Sequence, residues 1–453
     1  MKIILINPPS EEGQYEHDLM SIPKIGIGYI SAFLEKNGID CLVIDSKFEK
    51  INLDEVLRRV EREAPDIVGI SAMTSEIHSG AETARAVKNL LPTCMTVVGG
   101  AHAISIPVET MEEFPQFDIL ATGEGEYTLL DIVNAIKARE PFDDIKGILF
   151  RSDGEIKSTP PREWITDLDS LPFPAWHKYH RVAPFYYVLS SRGCPNNCAF
   201  CKTILGKKQR KRSPENVVDE IQWLHDRFNV KKFIFQDETF TMDSKRTEQL
   251  LNLIIERELH REMEWVAQTR VDRVDENIFM QLKRAGCNLI EFGVESGNQE
   301  ILNSVNKRIT LKQVEDAVRL AKQAGLRVGC SFILGHPFET KETAEDTVNF
   351  LVKLNPDNIS IGIMVPIPGT KIYDMARKGE GNYLLTSSDW REFVKFGGGG
   401  LEFTGISRHK LEIMQAKAYL KLYLKNYRII DFIAYAYEHR RQALAAARKM
   451  LRF

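Results

Sequence analysis

Short apolar runs of strand length alternate with amphipathic segments over the first 140 residues. The apolar runs fall near residues 2–6, 40–45, 66–72, 95–100 and 117–122. The segments between them repeat apolar residues at helical spacing near residues 26–37, 53–63, 78–90 and 126–138. Strands that alternate with helices in this way predict an α/β fold with a doubly wound parallel sheet.

Small residues follow most of these predicted strands. The segments concerned are Asn7-Pro8-Pro9, Ser71-Ala72-Met73-Thr74, Gly99-Gly100-Ala101-His102 and Gly123-Glu124-Gly125-Glu126. In a doubly wound sheet the ligand binds at the carboxyl ends of the strands. Small residues at those ends would let a large flat ligand approach the backbone.

A connector follows over residues 141–183. It is predicted to contain a β-hairpin that turns at Asp153-Gly154, and then a proline-rich stretch with Pro160-Pro161. Strands alternate with helical patterns again near residues 186–191, 230–236, 264–270, 288–294, 327–334 and 358–365. Six such parallel units predict a partial TIM-type barrel, in which the chemistry gathers at the carboxyl ends of the strands.

The composition is that of an ordinary globular protein. The chain has 453 residues, of which 43% are hydrophobic and 27% charged, so it can form sizeable cores. No apolar stretch approaches the roughly 18 residues of a membrane span, and the run at residues 3–6 is too short for a signal peptide. Seven cysteines in a chain of this length predict reduced thiols, and a cytoplasmic location is expected.

Charge is distributed unevenly. The whole chain has a net charge of −3, but residues 408–453 contain eleven Lys or Arg and three acidic residues, a local net charge of +8. This tyrosine-rich tail is predicted to be helical, and two uses are open: peripheral contact with a membrane surface or recognition of an acidic substrate. A packed helical cap with a solvated basic face is the favoured alternative. No RNA-binding module is recognisable, so no nucleic-acid partner is expected.

The stretch Cys194-Pro-Asn-Asn-Cys198-Ala-Phe-Cys201 supplies three thiolates on one short loop, in the pattern C-x3-C-x2-C. Three ligands from one loop leave a fourth position of a metal cluster open. A structural zinc site with a distant fourth ligand is the alternative, but zinc usually takes paired C-x2-C units and no second pair is present.

The cysteine loop, with Phe200 just before its last cysteine, resembles that of the radical S-adenosylmethionine (SAM) superfamily. The similarity continues at later predicted strand ends, in Gln236-Asp237-Glu238, Gln268-Thr269-Arg270, Glu295-Ser296-Gly297, Leu334-Gly335-His336-Pro337 and Pro366-Ile367-Pro368-Gly369. The resemblance implies that Cys194, Cys198 and Cys201 hold a [4Fe–4S] cluster and that SAM occupies the open iron. Reductive cleavage of SAM would then give a 5′-deoxyadenosyl radical, with electrons from a donor such as a flavodoxin or ferredoxin.

The resemblance also implies which residues contact SAM. Asp237 and Glu238 would engage the methionine amine, while Arg270, Glu295 and Ser296 would contact the carboxylate and ribose. Phe200, Gly335, Pro368 and Gly369 would border the adenine. Each residue also has an ordinary structural interpretation, such as a helix cap or an ion pair.

The first domain resembles the cobalamin-binding class of this superfamily, which includes methyltransferases and anaerobic porphyrin cyclases. By this resemblance the cobalamin-binding residues would be Pro8, Pro9, Gly26, Gly28, Ser71, Thr74, Gly99, Gly100, His102, Gly123, Glu124 and Gly125. The chain lacks the D-x-H-x-x-G signature, so a histidine ligand to cobalt is unsupported. The alternative is a docking or substrate platform that binds no corrinoid.

The predicted domains are a Rossmann-like cobalamin-binding domain at 1–140, a linker at 141–183, a radical SAM partial barrel at 184–375 and a helical, basic C-terminal region at 376–453. The leading hypothesis is a cobalamin-dependent radical SAM enzyme that methylates an unactivated carbon of a small or lipid-like molecule. An oxidative cyclase or rearrangement enzyme with the same cofactors is the alternative, and a cobalamin or iron–sulfur redox sensor is a third. The resemblance assigns no further catalytic residue.

Overall fold

The computed structural model describes residues 1–10, 22–394 and 399–438. The chain divides into two compact units, residues 1–195 with 202–236 and residues 196–201 with 237–453. The last part of the predicted C-terminal region, residues 439–453, lies outside the described residues. Among the helices that the structure describes, none is both long enough and apolar enough to cross a membrane.

The first unit contains eleven strands and eight helices in the part that the structure describes. The strands are β1 (Ile3–Asn7), β2 (Leu42–Asp45), β3 (Ile67–Ser71), β4 (Met95–Gly99), β5 (Ile119–Ala121), β6 (Ile148–Ser152), β7 (Glu155–Ser158), β8 (Tyr186–Val188), β9 (Ser191–Arg192), β10 (Arg210–Lys211) and β11 (Lys232–Phe235). The helices are α1 (Ile25–Lys36), α2 (Ser46–Glu49), α3 (Leu53–Glu63), α4 (Ile77–Leu90), α5 (Ala101–Ser105), α6 (Pro107–Glu113), α7 (Gly125–Ala138) and α8 (Pro214–Phe228).

The first seven strands form one sheet in the order β2-β1-β3-β4-β5-β6-β7. Strands β1 to β5 are parallel, in the register Ile4 to Leu42 and Ile3 to Ile67. All five residues of β1 are buried, which is typical of a central strand covered by helices on both faces. The doubly wound sheet that the sequence predicts is therefore confirmed.

The predicted hairpin at Asp153-Gly154 is also confirmed, but it does more than connect. Its first strand, β6, pairs antiparallel with β5, and β7 pairs antiparallel with β6. The sheet therefore has an antiparallel end that the sequence pattern did not predict, because pairing between β5 and β6 is non-local and leaves no periodic signal.

Two of the six strands predicted after the connector, β8 and β11, lie in the first unit. β8 and β11 are parallel, with Phe233 opposite Tyr186. Helix α8 begins at Pro214 and is capped by Ser213, whose hydroxyl accepts a hydrogen bond from the backbone N–H of Asn216. The predicted strand at 186–191 is divided, because β9 pairs antiparallel with β10.

The second unit contains the other four predicted strands, β12 (Glu264–Thr269), β13 (Cys287–Glu295), β14 (Arg327–Leu334) and β15 (Asn358–Ile363), which are parallel and adjacent in that order. Its first helices are α9 (Ser244–Glu256), α10 (Glu276–Arg284), α11 (Gln299–Ser304), α12 (Leu311–Gln323), α13 (Lys341–Leu354) and α14 (Lys371–Lys378). Thr310 and Thr340 form capping boxes at the starts of α12 and α13.

The C-terminal part adds an antiparallel pair, β16 (Tyr383–Leu385) with β17 (Leu401–Phe403), followed by helices α15 (Arg408–Lys425) and α16 (Ile429–Glu438). The helical character predicted for this region is confirmed over residues 408–438. The α/β fold class is confirmed in both units, whereas the predicted domain limits stay predictions.

Candidate functional site

The cysteine loop begins directly after β9. Gly193 has φ +91°, a conformation that favours glycine, and a side-chain Cβ there would lie 2.9 Å from the carbonyl oxygen of Gly206. The backbone N–H of Cys194 donates to that same oxygen at 3.1 Å. The first cysteine of the loop is therefore held by backbone contacts that only glycine permits.

The rest of the loop, residues 196–201, is held within the second unit by backbone groups. The N–H of Ala199 donates to the carbonyl of Val305 at 2.9 Å, and its own carbonyl accepts from the N–H of Ile372 at 3.2 Å. The Asn306 side chain donates to the carbonyl of Asn197 at 2.8 Å. Three backbone groups beside Cys198 are thereby tied to neighbouring elements.

The three loop cysteines differ from the other four in exposure. Cys194 and Cys198 are partly exposed and Cys201 is exposed, whereas Cys41, Cys94, Cys287 and Cys330 are buried, and none of the seven forms a disulfide. Within the described ranges, no three His, Cys, Asp or Glu side chains are gathered closely enough to hold a metal ion as they stand. Three accessible thiols on one backbone-anchored loop are nevertheless the donor set that an iron–sulfur cluster requires.

A buried ion pair lies at the carboxyl end of β13. Lys307 donates from Nζ to Oε1 of Glu295 at 2.8 Å, and both side chains are almost fully buried. Glu295 has φ +73°, which is rare for a residue with a side chain, and the pairing of β13 with β14 shifts register between Gly293 and Glu295. An irregular strand end therefore carries the carboxylate, a feature that often occurs where a side chain is directed to a ligand.

An aromatic residue of the cysteine loop lies against this ion pair. The Phe200 ring is 6.1 Å from the His336 ring, and Lys307 Nζ is 5.9 Å from the centroid of Phe200. His336 is fully buried, and burial lowers its pKa to about 4, so the imidazole is neutral at neutral pH. Its Nε2 lies 3.3 Å from the carbonyl oxygen of Glu295 and must carry the proton in that contact. Its Nδ1 is buried and has no protein partner.

Arg270 joins the same cluster. Its guanidinium makes a bidentate ion pair with Asp272, at 2.9 and 3.1 Å, and donates to the carbonyl of Lys307 at 2.9 Å. The structure thus brings together three predicted SAM residues, Phe200, Arg270 and Glu295. His336, which follows the predicted Gly335, lies beside them. Lys307 and Asp272 complete the cluster but were not predicted.

Three other predicted SAM residues are Asp237, Glu238 and Ser296. Asp237 is buried and Glu238 is exposed, directly after β11. Ser296 is buried, and its hydroxyl is engaged by Thr347 at 3.1 Å and by the N–H of Asn298, which is a structural cap.

The two predicted glycines have positive φ angles. Gly335 has φ +86°, and a Cβ there would lie 2.6 Å from the Phe403 ring. Gly369 has φ +72° and follows Pro368 in the turn before α14. Because side chains are disfavoured in this region of φ, both positions favour glycine.

A buried carboxylate beside Gly335 was not predicted from the sequence. Glu339 Oε2 accepts the backbone N–H of Gly335, and Oε1 has no protein partner. Tyr383 donates to the carbonyl of Gly335 at 3.1 Å. Burial raises the pKa of Glu339 to about 7. An unpartnered oxygen of Glu339 and the unpartnered Nδ1 of His336 are buried polar atoms that fit a polar ligand at these strand ends.

The carboxyl edge of the first sheet has a different character. Gly123 has no atom within 4 Å of the position of a side-chain Cβ, and Gly99 has only the Ala121 methyl at 4.0 Å. Gly100 has φ +95°, and a Cβ there would lie 2.6 Å from the carbonyl oxygen of Ala72. Open backbone at neighbouring parallel strands is a cradle that a flat corrinoid ring would fit.

Most of the remaining predicted cobalamin residues are packed into the protein. Pro8 and Pro9 are buried after β1, and Ser71 and Thr74 flank the end of β3. His102 is fully buried, and burial lowers its pKa to about 4. No ring atom of His102 is exposed, which agrees with the absence of a histidine signature for cobalt.

Three glycines predicted for cobalamin lie at the helices beside this edge. Gly28 packs against Pro174 and Trp176, with Cβ distances of 3.0 and 3.3 Å. Gly125 starts α7 against Ile30, whereas Gly26 is exposed in α1. Gly28 and Gly125 therefore have a packing role in this structure.

Glu124 belongs to a buried cluster of four charges in the first unit. Arg192 contacts Glu124 and Glu126 at 2.7 Å each, and Arg210 contacts Glu124 at 2.7 Å. All four side chains are at least nine-tenths buried. Glu124 also accepts the N–H of Ile165 at 2.8 Å. This carboxylate thus connects the glycine-rich edge to the strand that precedes Cys194.

Comparison with known proteins identifies both domains. Residues 188–351 match the Radical SAM superfamily, and residues 19–133 match the B12 binding domain. An uncharacterized methyltransferase of Pyrococcus horikoshii is 33% identical over 433 residues, 94% of this chain and 93% of that protein. An anaerobic magnesium-protoporphyrin IX monomethyl ester cyclase of Cereibacter sphaeroides is 30% identical over 392 residues, 83% of this chain and 64% of that protein.

The structure of the radical SAM methyltransferase TsrM from Kitasatospora setae, with cobalamin and a [4Fe–4S] cluster bound, has the same fold. It superimposes with a TM-score of 0.76 over 93% of this chain and 88% of that one, at 17% identity.

The fold and the two strand edges define an enzyme with an N-terminal B12-binding domain and a radical SAM domain. The chain belongs to the cobalamin-binding class of the radical SAM superfamily. Its cofactors are a [4Fe–4S] cluster, SAM and cobalamin. The prediction of an iron–sulfur cluster in place of a zinc site is therefore confirmed. So is the prediction that the first domain binds a corrinoid. Its reaction class is that of a cobalamin-dependent radical SAM methyltransferase.

Proposed function

We propose that this enzyme transfers a methyl group to an unactivated carbon of a small or lipid-like molecule. The observation that carries the proposal is the similarity to a methyltransferase over nearly the whole of both chains, with both cofactor domains included. When bound, the cluster and SAM supply a 5′-deoxyadenosyl radical and the corrinoid supplies the methyl group.

The chain's own residues would bind and orient these groups. Cys194, Cys198 and Cys201 would hold the cluster. Among the predicted SAM residues, Asp237 and Glu238 have the charge for the amine, Arg270 has the charge for the carboxylate, and Phe200 offers a ring to the adenine. Because Glu295 and Arg270 are already paired with Lys307 and Asp272, they are held in fixed orientations before SAM arrives.

The glycine edge formed by Gly99, Gly100 and Gly123 would receive the corrinoid through backbone contacts. His102 is not proposed as a ligand to cobalt, since its ring is fully buried. A one-electron donor such as a flavodoxin or ferredoxin is proposed as the redox partner. Seven cysteines, none of them in a disulfide, support the cytoplasm as the proposed location.

The test is product analysis after anaerobic reconstitution with iron, sulfide and hydroxocobalamin. The enzyme would be reduced in the presence of SAM and an extract of small molecules from its own cells. A methyltransferase of this class should form both 5′-deoxyadenosine and S-adenosylhomocysteine, together with a product heavier by one methylene. SAM that carries a labelled methyl group should pass the label to that product.

Oxidative cyclisation is the second candidate, favoured by the similarity to the Cereibacter cyclase. A cyclase would form 5′-deoxyadenosine without S-adenosylhomocysteine and without label transfer, which would overturn the methylation proposal. A redox sensor would form no 5′-deoxyadenosine beyond that of a Cys198→Ala control.

A further inference from the structure

An apolar stripe is exposed on the last described helix. Ile430, Ile433 and Tyr437 follow one another at helical spacing on α16 and are 82%, 62% and 75% exposed. Ile429, one turn before Ile433, is exposed as well. The opposite side of the helix is packed, since the Phe432 ring lies 5.7 Å from Tyr423 of α15. The outward direction of the stripe is therefore fixed by packing.

The apolar surface continues onto the preceding helix. Leu424 and Leu420 of α15 are exposed, and Tyr427 between the two helices is 91% exposed. Exposed apolar residues scattered singly need no explanation, but several that share one face of two consecutive helices mark an interaction surface.

A lysine-rich groove lies beside this surface. Helices α13 and α15 border an open groove of about 530 Å³, with the apolar residues Val348, Ile413 and Met414 among its lining residues. Four lysines line the same groove: Lys341, Lys410, Lys417 and Lys421.

The charges of the groove are mostly unopposed. Glu345 is the one acidic residue among the lining residues, and it pairs with Lys341 at 3.6 Å. Lys421 donates to the Asn349 side chain at 2.7 Å, and within the described ranges Lys410 and Lys417 have no ion pair.

Lysines and apolar residues alternate along one side of α15. Lys410, Met414, Lys417, Lys421 and Leu424 recur at three- or four-residue intervals and so share one helical face. Asp431, the acidic residue of α16 nearest to this face, is paired with Arg428 at 2.7 Å. The sequence of residues 439–453, which lies outside the described residues, adds five Lys or Arg and no acidic residue.

We propose that the α15–α16 face is a docking surface for an anionic lipid bilayer. Isoleucine and leucine side chains would enter the interface between headgroups and acyl chains, tyrosines would lie at headgroup level, and the lysines would meet the lipid phosphates. The combination of exposed apolar residues with unopposed lysines carries the proposal, because a neutral apolar partner would gain nothing from the lysines. This inference is independent of the proposed reaction.

The experiment is cosedimentation of the full-length protein with sucrose-loaded vesicles. Vesicles of phosphatidylcholine with about 30 mol% phosphatidylglycerol should bind the protein at least tenfold more tightly than pure phosphatidylcholine. Binding should fall as salt is raised from about 0.1 M to about 0.5 M, since the lipid charges are screened. Failure to bind the anionic vesicles at low salt, or equal binding to both vesicle types, would overturn the proposal.

Two charge-introducing variants locate the surface. Ile430→Asp with Ile433→Asp should reduce binding to anionic vesicles at least tenfold, while Met280→Asp should leave it unchanged, because Met280 is similarly exposed on α10. Thermal unfolding by circular dichroism checks that both proteins are folded. Unchanged binding by the folded α16 variant would contradict the proposal.

The lysine component has its own variant. Lys410→Glu with Lys417→Glu should abolish the preference for anionic vesicles, and the control is Lys371→Glu with Lys378→Glu, two exposed lysines of α14. Sedimentation velocity without lipid completes the design. A monomer supports a lipid surface, whereas a dimer that the α16 variant dissociates would show that a second copy covers this face, and the proposal would be wrong.

Discussion

The carboxyl edges of the two parallel sheets are built from opposite kinds of residue. The edge in the first unit presents open backbone at Gly99 and Gly123. The edge in the second unit presents buried side chains that are charged or polar, such as Glu295, Lys307 and His336. A large rigid ring is bound by shape and tolerates bare backbone, whereas a small zwitterion must be held by charge. By the proposed assignment, one topology would serve two ligands of different chemistry through the exchange of glycine for ionisable residues.

The largest effect should come from a substitution in the cysteine loop. Cys198→Ala removes one of three thiolates, and we expect complete loss of the [4Fe–4S] absorption and of SAM cleavage after anaerobic reconstitution. Cys94→Ala is the control, because Cys94 is buried and far from the loop in sequence. Retention of full iron content by Cys198→Ala would contradict the cluster assignment.

The next effect concerns the buried ion pair. Lys307→Met leaves the Glu295 carboxylate buried without a partner, which should cost about 3–5 kcal/mol of unfolding free energy in urea. The double variant with Glu295→Gln should recover most of that loss, since no charge is then left alone. Lys312→Met is the matched control: its pairing with Asp316 is at the surface and should not measurably affect stability. Equal losses in both lysine variants would mean that burial of this pair does not matter.

Glu339 should make stability depend on pH. Burial raises its pKa to about 7 from the usual 4.5, so the folded chain retains a proton that the unfolded chain loses. The stabilisation from this proton is complete below pH 4.5 and is lost as the pH rises through 7. It amounts to about 3 kcal/mol, at roughly 1.4 kcal/mol per pKa unit.

The measurement compares unfolding free energies of the wild type and Glu339→Gln across this range. The wild type should lose stability relative to the variant between pH 4.5 and 7. The lowered pKa of His336 acts with the opposite sign between about 4 and 6.5, but it is present in both proteins and cancels. A difference that is constant with pH would show that Glu339 does not titrate in this range.

The smallest effect tests the glycine edge. Gly123→Val introduces a side chain where no atom lies within 4 Å, so the fold should be unaffected. Its methyl groups would occupy space proposed for the corrinoid, and hydroxocobalamin binding should weaken about tenfold, or about 1.4 kcal/mol. Equilibrium dialysis measures the affinity, and an unchanged melting temperature excludes misfolding. Normal affinity would remove Gly123 from the site.

The sequence predicted the parallel strands and the cysteine loop well, because both depend on local patterns. It did not predict that β6 would pair with β5, nor that Lys307 would reach Glu295, because such pairings join residues that local periodicity does not relate. The burial of His102 could not be read from the sequence either, because it depends on the packing of neighbouring elements. Glu339 was missed because burial, which gives it its properties, is decided by tertiary packing.

The buried cluster of Glu124, Glu126, Arg192 and Arg210 limits how this enzyme can be divided or recombined. A fragment that ends at residue 140 would keep both carboxylates and lose both guanidinium groups. It would therefore expose two negative charges that the arginines neutralise in the intact protein. Chimeras that exchange corrinoid modules between related enzymes should therefore be joined after residue 236, or should carry both arginines with the transplanted module.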